Sequence, residues 1–339
     1  MFSPAGLRIN MANATGRNRE TGMNFQQLKI IRESARCNYN LTEVANTLFT
    51  SQSGVSRHIR ELEEELGIEI FIRRGKRLLG MTEPGKELLV VAERILNDAN
   101  NIRRLADVFS SNDSGQLHIA TTHTQARYSL PGVIKEFRAL YPRVRVVLNQ
   151  GSPEEIVSML AAGEADIGIA SERLMSDESL ASFPYYRWHH TILVPEGHEL
   201  TRQPQVTLEM LSTLPLITYR QGITGRAKLD AAFKAAGLTP DIALSAQDSD
   251  VIKTYVELGL GVGVLADMSY EKERDRGLVS LNAEHLFEPN TVWLGLKRSQ
   301  LQRNYAWRFI QLCNPTLSLT EIKDKVFSSQ LDAVIDYQI

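Results

Sequence analysis

Three short helices are predicted by the apolar positions between residues 23 and 67, because apolar residues recur there three or four positions apart. The three apolar stripes are Phe25, Leu28, Ile31 and Ala35, then Leu41, Val44, Ala45 and Leu48, then Val55, Ile59, Leu62 and Leu66. Asn40 or Thr42 can cap the second helix, and Thr50 or Ser51 can cap the third. Gly67 is expected to end the third helix.

The second and third helices are separated by a turn of only a few residues, which is the spacing of a helix-turn-helix unit. The third helix carries side chains that can reach base edges or phosphates, namely Ser51, Gln52, Ser53, Ser56, Arg57 and Arg60. Glutamine and arginine can make paired hydrogen bonds to adenine and guanine. Periodicity alone leaves two interpretations open: a DNA-recognition helix, or an ordinary three-helix unit with solvated arginines.

A cluster of basic residues follows the third helix and favours DNA binding. In IFIRRGKRLLG, two short β-prone runs flank Gly75, as in a hairpin wing. The cluster consists of Arg73, Arg74, Lys76 and Arg77. Such cations neutralise phosphates and release counterions, which gives an affinity that depends on salt and not on base sequence. We therefore predict a winged helix-turn-helix DNA-binding domain over residues 23–81.

A long amphipathic helix is predicted over residues 82–110, with Thr82 and Pro84 at its start. Its apolar positions are Leu88, Val91, Ala92, Ile95, Ala99, Ile102 and Leu105. A helix of this length is too long to be buried within so small a domain. We expect it to pair with the same helix of a second subunit, so that a dimer presents two recognition helices to two half-sites.

The rest of the chain alternates short β-prone runs with helical runs. LHIATT, RVRVVLNQG and DIGIAS predict three strands separated by two helices, which indicates a parallel sheet with helices on its faces. A similar series begins after Trp188, with TILVPEGH, PLITY, IALSA and GVGVLA as strands, and NTVWLGLKR predicts a late strand. The predicted fold class is α/β, with two Rossmann-like lobes behind the winged helix-turn-helix.

Hydroxyl and amide side chains cluster where the predicted strands end. They are Thr122, Thr124 and Gln125 after the first strand, Ser171 after DIGIAS, and Thr224 in GITGR ahead of a helix. Ligands bind beyond the carboxyl ends of parallel strands, and uncharged donors at helix N-termini suit an oxyanion. Spacing alone leaves open that these residues only cap helices. Arg226 and Trp188 could line the same cleft, or serve as a solvated charge and as packing between the lobes.

Composition restricts the class of protein. The chain has 339 residues, 43% hydrophobic and 23% charged, and a net charge of -2, so DNA contact requires a local basic surface. Cys37 and Cys313 are the two cysteines, and no disulfide framework is expected. Without a membrane-length apolar run or a secretory signal, we expect a cytoplasmic protein with no membrane contact. Residues 1–22 are predicted to be a disordered tail or an upstream start.

Other motifs do not indicate catalysis, a metal or a cofactor. GLGVGVLA is similar to a dinucleotide fingerprint, but it follows a predicted helix and opens a strand, which is the reverse of what that motif requires. Gly259 is better interpreted as a helix C-cap. The histidines, His123 among them, lack metal-ligand spacing, and no nucleophile motif accompanies Asp166 or Asp250. We predict that the protein is not an enzyme and binds no cofactor or metal.

Residues 23–109 resemble the N-terminal domain and linker helix of the LysR-type transcriptional regulators, above all in TSQSGVSRHIRELEEELGIEIFIRR. The resemblance continues in IATTHTQARYSLP, AQDSDVIKTYV and LKRSQLQRNY, which are similar to segments of the CysB-like sulfur-assimilation regulators. It implies an effector domain resembling type 2 periplasmic binding proteins over residues 115–316. Lobe I is expected near 115–186 and 288–316, lobe II near 187–287, and a helical extension at 317–339.

The resemblance also implies a function. In CysB-like regulators, the positions of Thr122, Thr124, Gln125, Ser171 and Thr224 bind a sulfate-like anion, although CysB itself has threonine at the position of Ser171. The implied protein is a dimer or tetramer that binds promoter DNA, contacts RNA polymerase and activates genes for sulfur assimilation and sulfonate use. The implied effector is sulfate or adenosine 5'-phosphosulfate.

Three alternatives stay open at this point. A LysR-type regulator could respond to another small anion. A solute-binding protein of transport would account for the two lobes, but not for the helix-turn-helix in front of them. An anion-using enzyme on the same lobes would need catalytic residues, and no such motif is present.

Overall fold

The computed structural model of the protein describes residues 22–75, 77–109 and 114–328. The chain forms two compact units, one before and one after the boundary between Asn100 and Asn101. In the described ranges, no helix has both the length and the hydropathy that crossing a bilayer requires.

Three short helices begin the N-terminal unit: α1 (Phe25–Arg36), α2 (Leu41–Thr47) and α3 (Gln52–Leu66). Side-chain oxygens of Asn40 and Ser51 accept backbone N–H groups in the first turns of α2 and α3, as predicted. Gly67 ends α3 in the left-handed conformation, with φ +68°, which confirms the predicted C-cap.

The buried faces of these helices differ at their ends from the predicted stripes. Phe25 is 53% exposed and Leu66 is 39% exposed, because each stands at the end of its helix, beyond the core. Ile30, outside the predicted stripe, is fully buried. The reason is that α1 packs on two sides: Ile30 joins the three-helix core, while Leu28 packs with Ala92 and Leu96 further along the chain.

A hairpin and a long helix complete this part of the chain. Strands β1 (Phe71–Arg74) and β2 (Arg77–Met81) pair antiparallel and form the predicted wing. Helix α4 (Glu83–Phe109) follows, and the Thr82 hydroxyl caps it by accepting the N–H of Gly85 at 3.0 Å. Several of its apolar side chains are 44–70% exposed, namely Val90, Val91, Ile102 and Leu105.

The C-terminal unit begins with a lobe of strands and helices in alternation. The elements of lobe I are β3 (Gly115–Thr121), a π-helical turn (Gln125–Ser129), α5 (Leu130–Leu140), β4 (Val144–Gln150), α6 (Pro153–Ala162), β5 (Ile167–Ala170) and β6 (Leu180–Trp188). The helical segment after β3 starts four residues earlier than the predicted Ser129, because the π-helical turn precedes α5.

Lobe II repeats this alternation, and the chain then returns to lobe I. Lobe II contains β7 (His190–Pro195), α7 (Leu208–Ser212), β8 (Pro215–Tyr219), α8 (Thr224–Ala235), β9 (Asp241–Ala246), α9 (Ser249–Glu257), β10 (Val262–Ala266) and β11 (Leu278–Asn282). The returning elements are β12 (Asn290–Lys297), α10 (Asn304–Cys313) and α11 (Leu319–Phe327). Gly259, just after α9, has φ +74°, which agrees with the predicted helix end and not with a nucleotide-binding turn.

The two lobes have the same sheet topology. The strand orders are β4-β3-β5-β12-β6 in lobe I and β9-β8-β10-β7-β11 in lobe II. In each sheet three strands run parallel, and the fourth and fifth pair antiparallel to their neighbours. The fourth strand always comes from a segment that has just crossed between lobes, so β7 and β12 tie the two sheets together.

The three strands predicted to form a parallel sheet, β3, β4 and β5, do run parallel, but strands β6 and β11 were not predicted. Pro184 lies within β6 and interrupts its alternating pattern. Proline is tolerated there because β6 is an edge strand, where one row of backbone N–H groups has no neighbouring strand. Antiparallel pairing follows from connectivity, since the chain leaves lobe I through β6 and re-enters it through β12.

The C-terminal helix α11 packs on lobe I. Ile322 and Val326 are fully buried, in a core cluster that includes residues of the lobe I strands. The Lys325 ammonium donates to the Ser182 carbonyl at 2.7 Å. The predicted helical extension is thus observed over residues 319–327, and residues 329–339 lie outside the described part of the chain.

Candidate functional site

The predicted recognition helix presents a polar face to solvent. Ser51, Gln52, Ser53, Arg57 and Arg60 are exposed and Ser56 is half-buried. Ser51 also has a structural role, because its hydroxyl accepts the N–H of Gly54 at 3.1 Å as the cap of α3. Arg57 lies 3.6 Å from Glu61 on the same helix, in an exposed ion pair that constrains it little.

The arginines of the wing differ in their contacts. Arg74 and Arg77 are exposed at the end of the hairpin. Arg73 instead donates to Glu63 at 2.6 Å, and the other oxygen of Glu63 accepts the N–H groups of Ile70 and Phe71. Arg73 therefore holds the wing against α3, besides any role toward phosphates. Lys76 lies outside the described residues.

In the C-terminal unit, a cleft between the two lobes brings together most of the predicted effector residues. Thr122, Thr124, Gln125 and Ser171 all line it, together with residues from lobe II. The space is about 580 Å³, part of it open to solvent. Thr224 is the first residue of α8, next to the lining residues Ile223 and Gly225, but its side chain lies outside the described part of the structure.

The lining contains no aspartate, glutamate, lysine or arginine among the described residues. What it contains instead are hydroxyls, amides and the starts of helices, because α6 begins beside Gly151 and α8 beside Ile223. Backbone N–H groups in the first turn of a helix have no intrahelical partners and carry partial positive charge. The cleft can therefore bind an anion through neutral donors.

Gln125 is held in one orientation. Its amide oxygen accepts from the hydroxyl of Ser129 at 2.8 Å and from the hydroxyl of Tyr186. Because the oxygen is occupied from two sides, the NH₂ group is the part of this amide that remains for a ligand. Gln125 is 5% exposed, so this arrangement is fixed by packing as well.

Lobe II contributes lining residues that the sequence did not single out, chiefly Tyr219 and Gln247. Tyr219 ends β8, the strand equivalent to β3, and its hydroxyl lies 2.7 Å from the Ser249 hydroxyl and accepts the N–H of Ala266 at 3.0 Å. Full burial raises the pKa of Tyr219, so the phenol stays protonated. Gln247 could have been found from its place after the predicted strand IALSA.

Trp188 and Arg226 have separate roles. Trp188 lines the cleft and also packs against His190, with ring centroids 5.0 Å apart. Arg226 is not a solvated charge: its guanidinium donates to Asp230 at 2.7 Å and to the Tyr219 carbonyl at 3.2 Å. It supports the end of β8 and does not line the cleft.

A polar network joins the two lobes beside the cleft. From lobe I, Tyr128 donates to Asp250 at 2.6 Å and Arg127 lies 3.4 Å from the same carboxylate. From lobe II, the Lys253 ammonium donates to the Tyr128 hydroxyl at 2.8 Å and pairs with Asp275 at 3.0 Å. We call Arg127, Tyr128, Asp250, Lys253 and Asp275 the interlobe network.

The contacts within this network favour the charged forms of Asp250 and Lys253. Burial tends to raise the pKa of Asp250, but the hydrogen bond from Tyr128 and the charges of Lys253 and Arg127 lower it below its ordinary value. Burial likewise opposes the charge on Lys253, but its contacts with Tyr128 and Asp275 raise the pKa. Each charge in the network is therefore compensated by a neighbour, and the lobes are held together at neutral pH.

Comparisons with known proteins identify both units. The sequence model of the bacterial regulatory helix-turn-helix protein, lysR family, matches residues 25–86, and that of the LysR substrate binding domain matches residues 110–318. The chain belongs to the LysR family of transcriptional regulators. This confirms the predicted family, the helix-turn-helix and the α/β sensor.

Several curated relatives of this LysR regulator are similar over nearly their whole length. The transcriptional regulator Cbl of Escherichia coli K12 is 67% identical, over 94% of this chain and all of the relative. SsuR of Burkholderia cenocepacia is 54% identical, over 88% of this chain and 97% of the relative. CysB of the same organism is 47% identical, over 87% and 95%. These relatives are regulators and not enzymes, as predicted for this chain.

A solved structure supports the fold of the sensor. The cofactor-binding domain of the Cbl transcriptional regulator is 61% identical with a TM-score of 0.62, covering 63% of this chain and 94% of that chain. HinK, a LysR family transcriptional regulator from Pseudomonas aeruginosa, is 26% identical with a TM-score of 0.53, covering 88% of this chain and 99% of that chain.

One group of side chains in the regulator has the composition of a metal site. His123, Asp248 and Asp250 place their ligand atoms within 4.8 Å of one another, a proximity across lobes that sequence spacing did not show. Asp248 already caps α9 by accepting the N–H of Val251 at 3.0 Å, and Asp250 belongs to the interlobe network. Cations of the protein thus compete for this position, and the absence of a metal stays a prediction.

Proposed function

We propose that this LysR regulator binds a sulfate-like anion, such as sulfate or adenosine 5'-phosphosulfate, in the cleft between its lobes. Through this effector it would control promoters of sulfur-assimilation and sulfonate-utilisation genes. The observation that carries the proposal is the convergence of Thr122, Thr124, Gln125 and Ser171 on one cleft whose described lining has no aspartate, glutamate, lysine or arginine, and whose one imidazole is that of His123. The likeness to Cbl, SsuR and CysB supports it.

The chemistry of the lining suits sulfate in particular. Sulfate carries no proton at neutral pH, so it needs donors only, whereas hydrogen phosphate also needs an acceptor for its own proton. Hydroxyls and N–H groups act as donors, and each hydrogen bond to a charged partner contributes roughly 1.5 to 3 kcal/mol. A carboxylate in the lining would repel either anion.

Binding would act through the relative arrangement of the lobes. The ligand would touch donors of lobe I and the Tyr219 side of lobe II, so it binds best when the lobes are closed. The interlobe network stabilises the same closed arrangement through Tyr128 and Lys253. An effector that prefers one arrangement changes the population of regulator competent at the promoter.

The test is thermal unfolding of the full chain with sulfate, adenosine 5'-phosphosulfate, thiosulfate and two carboxylates, because a ligand of the folded state raises the midpoint. At 100 times the dissociation constant the expected stabilisation is about 2.7 kcal/mol. Thr124→Ala should remove most of the response. Thr213→Ala is the matched control, since its hydroxyl bonds to the Met210 carbonyl outside the cleft.

The same measurement can contradict the proposal. Stabilisation by a carboxylate with no response to the sulfur anions would leave the LysR regulator intact and remove the sulfur effector. An equal response of Thr124→Ala and the unchanged protein would place the anion elsewhere.

We also propose that the regulator is a homo-oligomer, a dimer or a tetramer, that contacts RNA polymerase at the promoter. The exposed apolar side chains of α4, Val90 and Ile102 among them, support self-association, because large apolar side chains left in water favour burial against a partner. Light scattering of the full chain checks the oligomer, and a particle of 38.1 kDa would contradict it.

A further inference from the structure

Phe49 is the most exposed large apolar side chain among the described residues. It lies in the turn between α2 and α3 with 97% of its surface in water, whereas Ile102 follows at 70%. An aromatic ring in water forgoes the burial that normally stabilises it. Since no described neighbour in the domain covers the ring, its position calls for a partner outside it.

The backbone at Phe49 is also unfavourable for phenylalanine. Its φ is +51°, and it occupies the left-handed position that ends α2. The N–H of Phe49 donates to the Asn46 carbonyl at 3.2 Å, and the N–H of Thr50 donates to the Ala45 carbonyl at 2.9 Å. These two bonds form a Schellman motif, in which glycine is the usual residue. At the end of α3, glycine does occupy the left-handed position, as Gly67.

A second aromatic residue in the same unit shows what normally compensates such a conformation. Tyr39 has φ +64°, but its ring is half-buried and lies 6.3 Å from the ring of Phe71, edge to face. Packing therefore accounts for Tyr39, and no comparable packing among the described residues accounts for Phe49. A side chain that is both strained and exposed indicates a functional contact.

The location of Phe49 points to the kind of contact. It stands two residues before Ser51, the cap of the recognition helix, and beside the exposed Gln52 and Ser53. The N-terminal residues of a recognition helix meet base edges in the major groove, where the apolar group available is the 5-methyl of thymine. We propose that Phe49 packs against a thymine methyl group and so contributes to operator specificity independently of the basic wing.

The experiment uses the full chain and a duplex selected with it from a random pool, so that no operator need be known. Phe49→Gly and Phe49→Ala are compared with the unchanged protein by fluorescence anisotropy. We expect affinity for the selected duplex to fall about fivefold to tenfold, the order expected when one apolar side chain no longer packs on the DNA, with an unchanged salt slope. Phe49→Gly should unfold at an equal or higher temperature, because glycine suits the left-handed position.

Leu66→Ala is the matched control, since Leu66 is an exposed apolar residue at the opposite end of α3, roughly 20 Å along the helix axis. It should leave affinity unchanged. Replacing each thymine of the selected duplex by deoxyuridine, which lacks only the methyl group, then locates the contact. One replacement should weaken the unchanged protein and have no further effect on Phe49→Ala.

Two results would overturn the proposal. The first is an affinity of Phe49→Gly and Phe49→Ala equal to that of the unchanged protein. The second is a set of deoxyuridine effects that is the same in Phe49→Ala as in the unchanged protein, since Phe49 would then contact something other than a thymine methyl.

Discussion

The regulator has two surfaces suited to anions, and they are built in opposite ways. The face predicted to bind DNA has exposed cations, Arg57, Arg60, Arg74 and Arg77, on a helix and a hairpin. The cleft has uncharged hydroxyls and amides, most of them buried or half-buried, together with the imidazole of His123. A polyanion surrounded by counterions is bound effectively by cations that displace them. A small anion enclosed between lobes is selected by fixed donors, because a bare cation would accept almost any anion.

Lys253 is a cation close to a cleft that otherwise offers uncharged donors, so it can test this comparison. Of the changes considered, its removal should have the largest effect on stability. It is 8% exposed and lies close to the cleft, but Asp250 and Asp275 compensate its charge. Lys253→Met should lower the stability of the sensor by about 3 kcal/mol, because two carboxylates lose their shared cation. Sulfate affinity, measured by calorimetry well below the melting point, should fall by less than this loss of stability, because the change acts only through the closed arrangement of the lobes and removes no contact with the anion.

Lys234→Met is the control for Lys253→Met, since Lys234 is an exposed lysine of the same lobe. It should change neither stability nor sulfate affinity. A loss of sulfate affinity in Lys253→Met as large as its loss of stability would mean that the cleft binds its anion through a cation after all.

The next largest effect is a loss of stability at low pH that involves His190. Burial lowers its pKa to about 4, although a hydrogen bond to the Gly225 carbonyl acts in the opposite direction. Between pH 6.5 and about 4 the unfolded chain therefore binds a proton that the folded chain lacks, so stability falls as pH decreases through this window. The loss should approach roughly 3 kcal/mol near pH 4.

Denaturant unfolding at a series of pH values measures this loss. His190→Gln keeps an N–H donor toward Gly225 but cannot titrate, so its stability should depend less on pH between 6.5 and 4. The same pH dependence in both proteins would show that His190 does not stay neutral in the folded sensor.

Substitutions in the wing should have the smallest effect, and they test the cationic surface separately from the cleft. Arg74→Ala combined with Arg77→Ala should weaken binding to random-sequence DNA and make the salt slope less steep by about 1.8, or about 0.9 for each phosphate that is no longer neutralised. Sulfate-induced stabilisation should be unaffected.

Arg73→Ala should instead lower the stability of the N-terminal unit, because Arg73 pairs with Glu63 at 2.6 Å. Anisotropy at several salt concentrations distinguishes these cases, and equal slopes for all three proteins would contradict a phosphate role for Arg74 and Arg77.

Local features of the chain could be predicted to within one or two residues. The caps Asn40 and Ser51, the end of α3 at Gly67 and the start of α4 after Thr82 depend on interactions within one turn of backbone. Predictions failed where burial depends on distant segments. Phe25 and Leu66 match the helical period but lie beyond the core, and Pro184 concealed an edge strand.

The candidate cleft shows the same division. Thr122 and Ser171 could be placed at strand ends, because strand order predicts which loops meet at one edge of a sheet. Tyr219 and Gln247 face them from the other lobe, and Asp250 meets Tyr128 across 122 residues of sequence. Such pairings depend on how two sheets are joined.

By itself, then, the sequence determined most of the helices and strands, the helix-turn-helix and the character of the donors, because these follow from short-range periodicity and residue type. The family was indicated by resemblance to known regulators. The tertiary structure decided which donors share a cleft, that Arg73 is committed to Glu63, that Lys253 is compensated, and that Phe49 is left in water while Tyr39 is packed. Those properties arise from contacts between segments far apart in the chain, which depend on how the elements pack in three dimensions.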